Sequence, residues 1–128
     1  MSTDYRHSGI TRKIIGAVYK VYNTLGYGFL EKVYENALVV ELNKAGLDVK
    51  QQESITVYYE GKVIGDYVSD IIIEDKVIVE VKAIKKLDKV HEAQLINYLK
   101  ATNKEVGLLI NFGKEIEFKR RIFTQKKE

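Results

Sequence analysis

At Asp48 the spacing of the apolar side chains changes, and with it the kind of structure the chain can form. Upstream, Ile10, Ile14, Val18, Val21 and Leu25 recur at three- and four-residue intervals, as do Leu30, Val33, Ala37, Leu38 and Leu42. That period lines one face of an α-helix, so two amphipathic helices open the chain. Ser8 or Thr11 stands ready to cap the first, Gly26 lies just past its end, and Gly46 suits the left-handed position after the second. Downstream the runs are short, β-branched and aromatic: 55–59, a Glu60-Gly61 turn, 62–64, 67–73 and 77–84. They predict a meander of three or four strands. Asp88 is placed to cap a third helix to about residue 102, followed by a nearly continuous apolar strand at 106–112 and an alternating, basic one at 117–123. The expected order is α-α-β-β-β-β-α-β-β, an α/β domain.

Proline is absent, so nothing forces a break inside these elements, and turns fall to the nine glycines and to Asn and Asp. At 128 residues and 45% hydrophobic the chain suffices for one domain with a core, expected over about 10–123 with 124–128 as a frayed tail. A net charge of +3 excludes a histone-like polycation. With no cysteine, a disulfide framework, a Cys-ligated zinc site and a thiol nucleophile are all excluded, and His7 and His91 alone make a poor histidine metal site. No signal-peptide pattern or long apolar run is present, so no membrane association is expected and the cytoplasm is the expected compartment.

Within 77–83 the side chains alternate, which puts Ile78, Glu80 and Lys82 on one face of the strand. A half-exposed strand showing Glu and Lys to water would look the same. The preceding run adds Asp70: if Glu74, Asp75 and Lys76 form the connection, Ile73 faces Val77 and Asp70 faces Glu80. Opposed Cβ atoms lie roughly 4.5–5.5 Å apart, and like charges there repel unless a cation intervenes. A divalent ion would serve, and oxygen ligands without His or Cys favour Mg²⁺ or Mn²⁺, which bind phosphate substrates readily. Lys82 could then orient water or neutralise developing charge on phosphate oxygens.

Asp70, nine residues, then Glu80-Val81-Lys82, in this order of elements, resembles the PD-(D/E)XK nuclease superfamily. More narrowly, Gly28-Phe29-Leu30-Glu31-Lys32-Val33-Tyr34 resembles the signature of the GxxExxY proteins, and 91–99 and 106–113 look like the rest of that family. The resemblance implies a restriction-endonuclease-like fold with a central mixed sheet flanked by helices. It implies metal ligation by Asp70, Glu80 and the Val81 carbonyl, with Lys82 catalytic and Glu31 near the metal. Gln94 and Tyr98 resemble the Gln-x-x-x-Tyr signature found beside the active site in several nuclease branches. The departure is Ser69, where the superfamily is named for a proline.

Read as residues alone, Glu31 is equally an acid favoured at a helix start, and Tyr34 a core-edge aromatic with its hydroxyl satisfied. Gln94 needs a partner, either the active-site water network or a backbone carbonyl. His91 is a secondary candidate for the same cleft. Gly26 and Gly28 follow no strand, so they read as backbone conformation rather than a phosphate loop. Lys85, Lys86 and Lys89, with Lys119, Arg120 and Arg121, are candidates for phosphate contacts, and Lys126 and Lys127 extend the basic tail. The expected function is a Mg²⁺- or Mn²⁺-dependent nuclease acting on DNA ahead of RNA, for which the resemblance implies a 5′-phosphate product, with a homodimer as one way to enlarge its surface. The alternative is a non-catalytic or partner-dependent nucleic-acid-binding or regulatory module that keeps the fold.

Overall fold

The computed structural model describes residues 6–124, and helix gives way to sheet just past Asp48. Helices α1 (Ser8–Leu25) and α2 (Glu31–Lys44) precede strands β1 (Val49–Tyr59), β2 (Lys62–Ile73) and β3 (Val77–Lys82); α3 (Lys89–Thr102), β4 (Val106–Phe112) and β5 (Ile116–Ile122) follow. The strands form one five-stranded sheet in the order β1-β2-β3-β4-β5. Only β3 and β4 are parallel, as a strand pair joined across a helix must be when the helix returns the chain to the same end.

The expected α/β architecture is present, with one strand fewer than the nine-element order assumed. Residues 62–64 and 67–73 are one strand, because Gly65 and Asp66 stay paired opposite Val57 and Thr56. Gly65 weakens a strand locally, but continuous ladder bonds carry it through. β1 also begins at Val49, six residues before the expected start; its polar first half pairs with the buried Ile71, Ile72 and Ile73. Residues 125–128, including Lys126 and Lys127, lie outside the described residues. Among the described residues no helix is long and apolar enough to cross a membrane.

The sheet has an apolar layer on each face. Ile14, Val18 and Val21 of α1 and Tyr34, Leu38 and Leu42 of α2 pack on Ile71, Ile73, Val79, Val81, Leu108 and Ile110. On the other face Leu95, Tyr98 and Leu99 of α3 cover Ile72, Ile78 and Leu109, with Ile55 completing the layer. α3 sits so close that a Cβ on Gly107 would lie 2.7 Å from Leu95 Cδ1.

Two local features shape one end of the sheet. The β2–β3 turn is the expected Glu74-Asp75-Lys76, and it sets Ile73 opposite Val77. Glu74 and Asp75 adopt positive φ without glycine, and Glu74 is tied to Asp48 by its N–H (2.8 Å) and its carboxylate (2.6 Å). Further along, β2 pairs with β3 only through Ile71, Ile72 and Ile73, then leaves it while remaining paired with β1. Near this departure Gln52 has φ 56°. Ile71 packs toward α1 and α2, yet Tyr67, four residues away, meets Tyr98 of α3. Side chains so spaced would share a face in a regular strand, so the β1–β2 hairpin turns over as it leaves the sheet.

Candidate active site

Where β2 parts from β3, Asp70 and Glu80 clasp each other's backbone. The Asp70 N–H donates to Glu80 Oε2 (2.9 Å) and the Val81 N–H to Asp70 Oδ2 (2.8 Å). The register inferred from the turn length is present as far as Ile71 opposite Val79, and the two carboxylates meet just beyond it. Ser69, fully buried, adds its hydroxyl to Glu80 Oε2 at 3.2 Å. A proline could make neither this bond nor a ladder bond, so the departure from the superfamily's name has a structural use.

Burial, and secondarily the charge of Asp70, pushes the Glu80 carboxyl up to about 8, against the opposing pull of the Asp70 N–H, the Ser69 hydroxyl and Lys82. Asp70 is also raised, by burial first; the Val81 N–H opposes this and Glu35 adds to it. Glu31 opens α2 as expected, and burial raises it too, Lys82 opposing and Asp70 and Glu35 reinforcing. The Lys82 ammonium is thus felt by Glu31, Asp70 and Glu80 alike, while it makes no hydrogen bond or ion pair of its own with a described residue.

Glu35 was not among the residues the sequence singled out. It is 2% exposed and accepts hydrogen bonds from Gln51 Nε2 (2.6 Å), Gln52 Nε2 (2.9 Å) and Lys32 Nζ (3.2 Å). Its signal was its spacing: four residues after Glu31 and three before Leu38, it falls on the buried stripe of α2, where an acid needs partners.

From α3, Tyr98 joins the site. Its hydroxyl accepts from Gln94 Nε2 at 3.0 Å, and burial followed by the charges of Glu80 and Asp70 raises its pKa. Gln94 therefore takes Tyr98 as its partner rather than a backbone carbonyl. His91 instead closes the start of α3, its Nδ1 accepting from the Asp88 N–H at 3.0 Å. Tyr34 is a core aromatic, as its position suggested: it stacks on Phe112 at 4.5 Å, and its hydroxyl bonds the Gly26 carbonyl (2.5 Å) and the Phe29 N–H (3.2 Å). That fixes the α1–α2 turn, in which Gly26 and Gly28 have φ of 72° and 112°.

The basic residues stand among acidic ones. Lys85 and Lys86 are exposed in the segment after β3. Lys86, Lys89 and Lys119 share a cleft of about 690 Å³, but Asp88, Glu92 and Glu117 line it too. Arg121 is ion-paired with Glu92 of α3, whereas Arg120 donates to the Arg6 carbonyl at 2.7 Å.

No three acidic or histidine side chains among the described residues are close enough to enclose an ion by themselves. The pair Asp70 and Glu80 nonetheless suits Mg²⁺ or Mn²⁺, which bind through one or two carboxylates plus water and substrate phosphate. Each commits one oxygen to a backbone N–H, and neither Asp70 Oδ1 nor Glu80 Oε1 is engaged by a described residue. Both carboxyls are raised chiefly by burial, a cost to their charged forms that a bound cation would offset. The Val81 side chain is buried against α1 and α2, and its N–H belongs to Asp70.

A mixed sheet with helices on both faces, opened beside paired carboxylates and a lysine, is a restriction-endonuclease-like fold. A family model of the PD-(D/E)XK nuclease superfamily matches residues 8–122, and the chain belongs to that superfamily. No curated protein matches it in sequence. Among solved structures, SSO0001 superimposes with a TM-score of 0.61 at 19% identity; the match covers 75% of this chain and 52% of SSO0001, so this chain spans about half of its length. An alkaline exonuclease (LHK-Exo) from Laribacter hongkongensis matches with a TM-score of 0.54 at 10% identity, over 97% of this chain and 73% of the exonuclease.

Proposed function

We propose that this protein is a Mg²⁺- or Mn²⁺-dependent nuclease that hydrolyses phosphodiester bonds, with DNA ahead of RNA as substrate. The observation that carries the reading is the clasp of Asp70 and Glu80 at the open end of β2 and β3, with Lys82, which pairs with no described residue, two residues on. Superfamily membership and the fold shared with an alkaline exonuclease support it. A cytoplasmic location belongs to the same reading. So does the narrower likeness to the GxxExxY proteins, supported by how Gly28 shapes the turn, Tyr34 pins it and Glu31 is thereby presented to Lys82 and Asp70.

Asp70, Glu80 and the Val81 carbonyl would hold the ion, which when bound supplies positive charge to phosphate oxygens and makes a water more acidic. Lys82 places its ammonium against the scissile phosphate, where it neutralises charge as the nucleophile attacks and orients that water. Glu31, held above the ordinary carboxylate range, accepts a proton or a hydrogen bond from water on the α2 side. Tyr98, fixed by Gln94, bounds the site on the α3 side. The expected product carries a 5′-phosphate.

The test is incubation of end-labelled single-stranded DNA, double-stranded DNA and RNA with the purified protein in Mg²⁺, in Mn²⁺ and in EDTA. Cleavage with either metal, lost in EDTA, is expected. Cleavage that persists in EDTA, or none in any lane with metal bound, would contradict the reading, and the latter would favour the binding module.

A further inference from the structure

A second concavity, of about 830 Å³, lies between the everted β1–β2 hairpin and α3, with Gln94 and Tyr98 of the candidate active site in its wall. Tyr98 belongs to both: it lines the concavity and feels the charges of Glu80 and Asp70. Tyr67 lies beside it, the two rings 5.8 Å apart and tilted by 47°. Tyr58 stands further out on the hairpin, and Gln94, Asn97 and Lys100 complete the α3 wall. Tyr58 and Tyr67 are 64% and 50% exposed, so large ring faces are open to solvent.

The lining decides what could occupy this groove. Duplex nucleic acid presents phosphates and keeps its base faces stacked inside, so a surface that grips it needs several lysines or arginines. Among the described residues lining this groove, Lys100 is the one lysine or arginine. Ring faces and side-chain amides instead suit unstacked bases, whose flat faces stack on aromatics whatever the sequence and whose edges take hydrogen bonds. Because Tyr98 and Gln94 stand in the groove wall and also bound the candidate active site, a strand lying in the groove would be held beside the carboxylates.

We propose that the groove between the β1–β2 hairpin and α3 holds single-stranded nucleic acid, with Tyr67 and Tyr58 as base-stacking platforms next to the active site. The proposal rests on the nuclease reading for its choice of ligand, but its test does not depend on cleavage. Binding of fluorescein-labelled oligothymidylate is followed by anisotropy in EDTA, with unlabelled duplex of equal length as competitor. The wild type should bind the single strand in preference to the duplex. Tyr67→Ala and Tyr58→Ala should each weaken binding roughly 5- to 100-fold, the range for loss of one stacked base, whereas Tyr67→Phe should keep it. Both rings are half exposed or more, so the variants should fold, and urea denaturation checks this. Equal affinity for duplex, no binding of the single strand, or unchanged binding in both alanine variants would overturn the proposal and leave the groove to a protein or small-molecule occupant. Metal-dependent cleavage of duplex together with unchanged binding by the alanine variants would remove this proposal and leave the nuclease reading standing.

Discussion

Replacing Glu80 with Gln should stabilise the metal-free protein, and only at neutral and alkaline pH. The Glu80 carboxyl lies at about 8 in the folded protein, against 4.5 for an unperturbed glutamate. Below 4.5 it is protonated in both folded and unfolded chains and contributes no difference. As pH rises the unfolded chain ionises first, so folding stability is lost progressively until the folded carboxyl also ionises near 8. At 1.36 kcal/mol per unit, the loss is about 3 kcal/mol at pH 7 and approaches about 5 kcal/mol above pH 8, a large part of the 5–15 kcal/mol that typically holds a domain together. Gln cannot ionise, and its carbonyl oxygen can still accept from the Asp70 N–H and the Ser69 hydroxyl. Urea titrations in EDTA at pH 5, 7 and 9 should therefore show Glu80→Gln near or slightly below the wild type at pH 5 and more stable by several kcal/mol at pH 9. Adding Mg²⁺ should recover the wild type at pH 9 and do much less for the variant. A stability difference that is flat with pH, or a wild type that gains on the variant as pH rises, would show that Glu80 is not held protonated by its burial.

Other outcomes follow from single contacts. Ser69→Ala removes a bond to the charged form of Glu80, so it should cost about 1–3 kcal/mol, more at pH 9 than at pH 5, in the same titrations. Tyr34→Phe strips the hydroxyl from the Gly26 carbonyl and Phe29 N–H and should cost about 1–3 kcal/mol in urea. Faster amide exchange confined to the α1–α2 turn should accompany it. Gly107→Ala drives a methyl into Leu95 and should lower stability by about 1–3 kcal/mol, with a Leu95→Ala background relieving part of the loss of packing space.

The parts of this site that could be read without a structure were those governed by counting. Strand alternation and a three-residue turn were enough to bring Asp70 opposite Glu80, because each step along a strand reverses the side chain and loop length sets the register. Helical spacing likewise brought Gln94 to Tyr98. What escaped depended on tertiary partners. The apolar pattern separates 62–64 from 67–73, yet β1 holds Gly65 and Asp66 in line between them. Glu35 lay on the buried stripe of α2 in plain view, but its importance rests on Gln51 and Gln52, whose placement follows a local left-handed residue that no pattern announces. In the sequence Ser69 stands out only as a missing proline, whereas in the fold its hydroxyl bonds Glu80. The basic residues show the converse: adjacent in sequence, Arg120 and Arg121 bond to different parts of the fold, Arg6 and Glu92.

In the proposed function Lys82 acts in chemistry at a cation site made by Asp70 and Glu80. Single-turnover cleavage of the preferred strand by Lys82→Ala, measured beside its Mn²⁺ affinity and its urea midpoint, tests it most directly. The expected rate is at least ~100-fold below wild type, with metal binding and folding retained. Cleavage at the wild-type rate by a folded, metal-binding Lys82→Ala protein would contradict it.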